Sequence, residues 1–433
     1  MTACPVIRAL DVSLRGAAHV ILSSLIVSVL LLTPGAHLAF AGPKRPSVPA
    51  FWGPIYPIWS IALDGIPVGR AAFDRTSAYV GLRDGRLAAV SLTTGGVRWL
   101  TNEGVTAPPA ALEGLVLAIK GPTLVGLDST NGNMRWQQAL GAPSVLAPTV
   151  GPNWIAVITT KPEVLLLHPT DGRILWRQIL AAPARALPTG DTDRIFIGLT
   201  NGQAIALSAR NGAAQWTRMV GGEPLVLTLN KDRVFVGTSD DYLCALVADS
   251  GRQKWRWRTG GDVRGDVAAD DKRVYFASLD NSLVALGRGG GDLKWEQRLR
   301  SRPVGGPVLI GDTLLLVTVA GEFNTFAIER GTETESVALA GRPLHQPHLI
   351  PWAGPVPPRA IVLTAGGQLL AMGPIVEPPV VPLDLMAGKV VLLPETLDPI
   401  EPPLVPMLYP PGRLLLPETL PPAVVKRIPI RRP

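Results

Sequence analysis

Cysteine is nearly absent from this chain. Cys4 and Cys244 are the only two among 433 residues. A disulfide framework is therefore excluded, and with a leader carrying Cys4 removed no internal disulfide can form. Charge is sparse as well: 17% of residues are charged against 47% apolar, a balance suited to a large packed core. Histidine is scarce, with His168, His345 and His348 the only ones beyond residue 41. No helical 3.6-residue pattern runs through the body of the chain. The longest apolar stretch, Val20 to Leu32, has thirteen residues, short of the ~20 a membrane span needs.

That stretch has the layout of a secretory leader. Arg8 and Arg15 precede it, Pro34-Gly35 ends it, and Ala39-Phe40-Ala41 forms an A-x-A cleavage site. Residues 1–41 are expected to be a signal peptide cut near Ala41, which places the remainder in the periplasm or cell envelope; an uncleaved anchor is the alternative. No Cys follows the run, so a lipid-attachment site is lacking. The net charge of +7 becomes +6 without residues 1–41, a mild excess that favours acidic partners without specifying nucleic acid or membrane.

Tryptophan carries the pattern that is present. Trp59, Trp99, Trp136, Trp176, Trp216, Trp255 and Trp295 are spaced by 40, 37, 40, 40, 39 and 40 residues. Self-similarity at that period marks a propeller or solenoid. A Gly stands four residues before six of these Trp, from Gly95 to Gly291, where a tight turn needs φ > 0. The Trp are assigned as structural, each covering a sheet junction with its N–H turned to a neighbouring carbonyl.

Between the Trp strands, β-branched and aromatic runs flank two-residue Asn/Asp/Gly turns, as in Val234 to Gly237, Asp240-Asp241 and Tyr242 to Leu246. This is the hairpin signal. With one strand before each hairpin, every unit reads as a four-stranded antiparallel blade. Hairpins centred near Asp84, Pro122, Pro162, Asn201, Asp240, Asp280, Gly321 and Gly366 make eight. The seventh unit has Glu335 at the aromatic position, the eighth has no Trp strand, and Trp59 has no hairpin before it. Pairing the last two orphans puts Pro57–Leu63 beside Ile361–Met372 and closes the ring, leaving no exposed seam edge. The fold expected is an all-β, eight-bladed propeller over residues 57–374. Residues 42–56 read as a linker, and 375–433 as a Pro-rich, disordered tail. The tail holds two similar hexads, Leu392 to Leu397 and Leu415 to Leu420, and a basic tip; it is either a spacer for anionic surfaces or a solvated terminus.

The [DN]-Gly-x-x-x-Trp strand after an Ala-Leu-rich hairpin, as in Asp171 to Trp176, resembles the PQQ-like β-propeller repeat. That superfamily includes quinoprotein alcohol and glucose dehydrogenases and the non-enzymatic outer-membrane assembly scaffold BamB. The likeness is specific for fold and weak for function, because the motif is the blade's own stitching. The dehydrogenases carry a vicinal Cys pair, bound Ca²⁺ and a catalytic Asp, and no motif of theirs matches here. The resemblance therefore implies a BamB-like scaffold in outer-membrane protein assembly, a non-enzyme without cofactor. Missing lipidation departs from BamB. The alternative is a PQQ- or other small-ligand-binding protein or enzyme using the central channel; a recognition module without a fixed partner is a third reading.

Residue patterns for chemistry are thin. His345-Gln346-Pro347-His348 reads as a strand-edge pair rather than a metal site. Asp240-Asp241 and Asp270-Asp271 recur at corners and read as turn formers rather than a Ca²⁺ loop. Gly287 to Gly291 lacks the helix that a phosphate loop requires. Cys244 reads as a small buried hydrophobe. One feature exceeds scaffolding needs: in Arg252 to Arg258, period 2 places Lys254, Arg256 and Arg258 on one face and both Trp on the other. With Arg218, Arg298, Arg300 and Arg302 they form a candidate basic stripe for an acidic protein, lipid A or an anionic glycan, or else ordinary solvated outer-strand charge. Nucleic acid is not expected in an exported chain, membrane contact is expected to be peripheral only, and the chain is expected to be a monomer.

Overall fold

The computed structural model describes residues 52–144, 146–351 and 357–374. The expected leader, residues 42–51 and the tail from 375 lie outside the described residues. Eight four-stranded antiparallel sheets make up the described chain. In blades 1 to 7 the four strands follow chain order from the channel outward. Blade 4, for example, runs Thr189–Gly190, Arg194–Gly198, Gln203–Ser208 and Ala214–Met219. Its middle strands are almost wholly buried, while the outer strand, which ends the sheet, is largely exposed. The middle strands are buried on both faces because each blade is sandwiched between two others, and their sequences are accordingly apolar without alternation.

Eight apolar clusters hold the ring, one at each junction. Phe196, Ala204 and Ala206 of blade 4 meet Val234, Val236 and Cys244 of blade 5, and Ile361 and Leu369 of blade 8 meet Val80 and Val90 of blade 1. Closure occurs as the orphan elements implied. Ile55–Ala62 is the outer strand of blade 8, paired with Gln368–Pro374. That strand begins two residues before the expected boundary at 57, and Trp52 is already buried. The last residues of the expected linker thus belong to the propeller.

The Trp and Gly of the motif act in different blades. Six of the seven Trp donate their indole N–H to a carbonyl of the next blade, as in Trp176 to Ala209 at 3.0 Å, Trp216 to Ala248 at 2.8 Å and Trp295 to Ile328 at 2.7 Å. Each motif Gly, in the left-handed region, lies against the Trp of the preceding blade: Gly95 on Trp59, Gly132 on Trp99, Gly212 on Trp176, Gly251 on Trp216. The exception among the donors is Trp136, whose Nε1 is buried without an acceptor. Its counterpart acceptor position is Pro169. In the other blades that residue is tethered by its own N–H, as Ala209 is to Asp193 and Ala248 to Asp232; proline has no N–H to give.

Blade 7 solves its missing Trp differently. The Glu335 carboxylate accepts the Ile55 N–H with both oxygens, at 2.9 and 3.0 Å. Trp52 fills the same junction, 6.4 Å from the Phe323 ring. An aromatic from the chain's other end thus packs into this junction, and a carboxylate caps the closing strand.

Candidate binding surfaces: the outer basic groove and the channel mouth

The Trp bonds define a forward face on six of the eight blades, blades 4 to 6 among them, and the basic residues divide by it. Arg218 stands opposite Ala204 on the forward face of blade 4. Arg256 and Arg258 stand opposite Cys244 and Tyr242 on the backward face of blade 5. These two faces pack together, so Arg218, Arg256 and Arg258 flank one groove between blades 4 and 5. Arg298 stands opposite Ser282 on the backward face of blade 6 and belongs to the next groove, with Trp257 across it. Glu296 shares that face and accepts from the Ser282 hydroxyl at 2.9 Å. Arg218, Arg256 and Arg258 thus meet at one junction and Arg298 at the next, so these four do not form one stripe.

The period-2 argument also changes at Lys254. The ladder slips between Ala245 and Leu246, pairing Ala245 with Trp255 and Leu246 with Gln253. Lys254 is the extra residue of a bulge, exposed but without a cross-strand partner. Alternation holds from Trp255 onward. Two of the arginines are committed. Arg256 donates to Asp240 at 2.7 Å and lies 3.4 Å over the Tyr242 ring, so it clamps the hairpin of its own blade. Arg300 meets Glu333 at 3.6 Å. Among the described residues Arg218, Lys254, Arg258, Arg298 and Arg302 have no carboxylate within ion-pairing distance.

The channel is the second surface. The innermost strands surround a cavity of about 650 Å³. At one mouth, Arg70, Asp266 and Gln346 occupy one repeat position, two residues before the inner strands that begin at Ala72, Ala268 and His348. Gln346 ties three blades together. Its Oε1 accepts the Asp266 and Gly306 N–H groups at 3.2 and 2.9 Å, and its Nε2 donates to the Asp266 carboxylate at 2.8 Å. The backbones there are in close contact: a β-carbon on Gly306 would stand 1.8 Å from the Asp266 carbonyl oxygen. Burial lowers the Arg70 pKa, opposed by the charge of Asp266. His345 is pushed down mainly by burial, with Asp266 pulling it up and Arg70 adding to the depression. His348 is pushed down to about 4 by burial and stacks on Phe73 with ring centroids 3.8 Å apart.

The stripe came from a charge run; the mouth has none, and in sequence its Gln346, His345 and His348 stand out only as a strand-edge His pair, while Arg70 and Asp266 belong to no motif. The available signal was a column. Where Arg70, Asp266 and Gln346 stand, the other blades hold Pro108, Ala147, Leu187, Val226 and Gly306. The remaining patterns are local. Asp241 and Asn281 take left-handed turn conformations, and Asp270 accepts from the Lys272 and Arg273 amides at 2.7 Å each. Gly287 and Gly291 close a turn by a 2.8 Å backbone bond. Cys244 is wholly buried, with burial pushing its thiol up to about 11. Among the described residues no three His, Cys, Asp or Glu side chains gather as a metal site.

No curated protein matches the chain in sequence. Among solved structures, BamB from Moraxella catarrhalis superposes with a TM-score of 0.63 at 18% identity, covering 74% of this chain and 99% of that one. Sqt1 from Saccharomyces cerevisiae gives 0.66 at 10% identity, with 74% and 99% covered. A europium-containing methanol dehydrogenase gives 0.61 at 11%, with 74% and 93% covered. At such identities the likeness is one of fold alone. The sequence match is more specific: the family model described as outer membrane protein assembly factor BamB aligns to residues 57–149, 122–231 and 220–346. Those segments span most of the propeller, and the chain belongs to the BamB family of PQQ-like repeat proteins.

Proposed function

We propose that this propeller is a non-enzymatic scaffold of the cell envelope, exported and then holding protein partners of the outer-membrane assembly machinery. Membership of a family named for an assembly factor supports the setting. The observation that carries the docking site is the groove between blades 4 and 5. Arg218 and Arg258 enter it from facing blades, exposed and without carboxylate partners among the described residues, while Lys254 stands exposed on the adjoining bulge. An acidic segment of a partner fits that charge, and such complementarity acts chiefly on association rate and orientation.

A quinone cofactor is a poor fit to this chain. The dehydrogenases that the repeat resembles carry a vicinal Cys pair, and here the two cysteines stand 240 positions apart at 4 and 244. No triad of metal-ligating side chains lines the channel among the described residues.

The test is in-cell crosslinking of the tagged protein with mass spectrometry of what it holds, comparing wild type with Arg218→Glu/Arg258→Glu. Arg256 is left intact because it holds Asp240 and Tyr242. Recovery of assembly components by wild type and their loss in the double variant is the expected outcome. Equal recovery by both would remove the groove from the docking site, and recovery of no envelope protein would remove the scaffold reading.

A further inference from the structure

We propose that the channel mouth is a binding site for a small oxyanion, a carboxylate or phosphate, seated on the Arg70 guanidinium. The proposal is independent of the scaffold reading and uses a different surface.

Arg70 lines the cavity, half-buried, with its guanidinium nitrogens still reached from the cavity. A guanidinium presents five N–H donors, yet Arg70 makes no hydrogen bond or ion pair among the described residues. A half-buried guanidinium without a protein partner keeps its donors free toward the cavity, and an opposite charge seated there would offset its partial loss of water. Asp266 faces Arg70 electrostatically, but its carboxylate is held by Gln346 Nε2 at 2.8 Å and lies beyond ion-pairing distance. An incoming oxyanion would supply the missing acceptor, in the planar two-bond geometry that guanidinium favours.

The surroundings fit such a ligand. Arg185 and Arg264 stand exposed on the cavity lining. Arg264 is offset by Asp262 at 2.7 Å, so Arg185 contributes the uncompensated charge. The wall from blades 6 to 8 is rigid, because Gln346 bridges it and Gly265, Gly305 and Gly306 bring its backbones into contact. A volume of about 650 Å³ is in the range of small-molecule sites.

The experiment is calorimetric titration of the full chain with citrate and, separately, with inorganic phosphate, at constant ionic strength. The variants are Arg70→Gln, Arg70→Lys and Arg185→Gln, with Arg210→Gln, exposed at an outer turn, as a control. Saturable binding of at least one anion is expected, weakened about tenfold or more by Arg70→Gln and severalfold by Arg185→Gln, and unchanged by Arg210→Gln. Arg70→Lys should recover only part of the affinity, since an ammonium cannot offer the paired donors. Citrate alone binding identifies a carboxylate site, and phosphate alone a phosphate site. Should Arg70→Gln fail to fold by circular dichroism, the exposed Arg185 variant decides. Absence of saturable binding by both anions, or wild-type affinity in the folded variants of Arg70 and Arg185, overturns the proposal.

Discussion

Gly172 lies directly on the indole of Trp136, which belongs to the preceding blade: a β-carbon on Gly172 would stand 2.3 Å from Trp136 Cε3. The glycine also has φ of 71°. Two demands, a left-handed turn and a ring in contact, fall on one position, and the same pair of demands recurs around the propeller. The Gly and Trp of one motif therefore serve two different junctions.

Gly172→Ala should destabilise by about 3 kcal/mol or more, since the methyl must displace a packed ring as well as accept the turn. Gly114 is the control, with φ of 78° and nothing within 4 Å of an added β-carbon. Gly114→Ala should cost only the backbone term, about 1 kcal/mol. Urea unfolding of both separates the two demands; equal losses would show that the ring contact contributes nothing.

Replacing Trp by Phe should distinguish Trp176 from Trp136. Trp176→Phe loses a bond to the Ala209 carbonyl, whereas Trp136→Phe loses none and removes an unsatisfied N–H. The first should cost about 1–2 kcal/mol more than the second. Equal midpoints with equal slopes in denaturant would contradict that ordering.

Glu335→Ala removes both acceptors of the Ile55 N–H and should cost about 1–3 kcal/mol by leaving that donor unsatisfied. Its effect should concentrate at the seam, read as faster amide exchange in Ile55–Ala62 than in any other outer strand. Uniform exchange around the ring would argue that closure does not depend on this carboxylate.

Stability should fall on acidification through the channel histidines. His348 has a folded-state pKa of about 4, below the ~6.5 of an unfolded histidine. Between those values the unfolded chain binds a proton that the folded chain refuses. The contribution is thus intact above pH 6.5 and is lost as pH falls toward 4, by up to about 3 kcal/mol. His348→Phe, which keeps a ring on Phe73, should flatten that part of the pH profile. An unchanged profile would place the sensitivity elsewhere.

Cys244 should resist alkylation in the folded protein and react fully once unfolded, because it is wholly buried and its thiol is pushed up to about 11. Peptide mass spectrometry after a short iodoacetamide pulse reads this directly. Labelling of the native chain within minutes would reveal opening of the junction between blades 4 and 5.

Much of the architecture is written in local order. The spacing of seven Trp, the Gly four residues ahead and the two-residue turns define a blade, because every blade must meet the same neighbours with the same strands. Even ring closure was legible, since Trp59 lacked a hairpin and the last hairpin lacked a Trp strand. What only the tertiary structure decided depends on which faces meet. Arg218 and Arg256, 38 positions apart, share a groove because the forward face of one blade packs on the backward face of the next. A bulge at Lys254 breaks the alternation that a flat strand would keep. Trp52, from the opposite end of the chain, packs into the junction whose own Trp position holds Glu335. Arg70, Asp266 and Gln346 converge because a closed ring brings the same position of distant repeats to one axis. A linear repeat specifies the unit, while the contents of the channel follow from closing the circle.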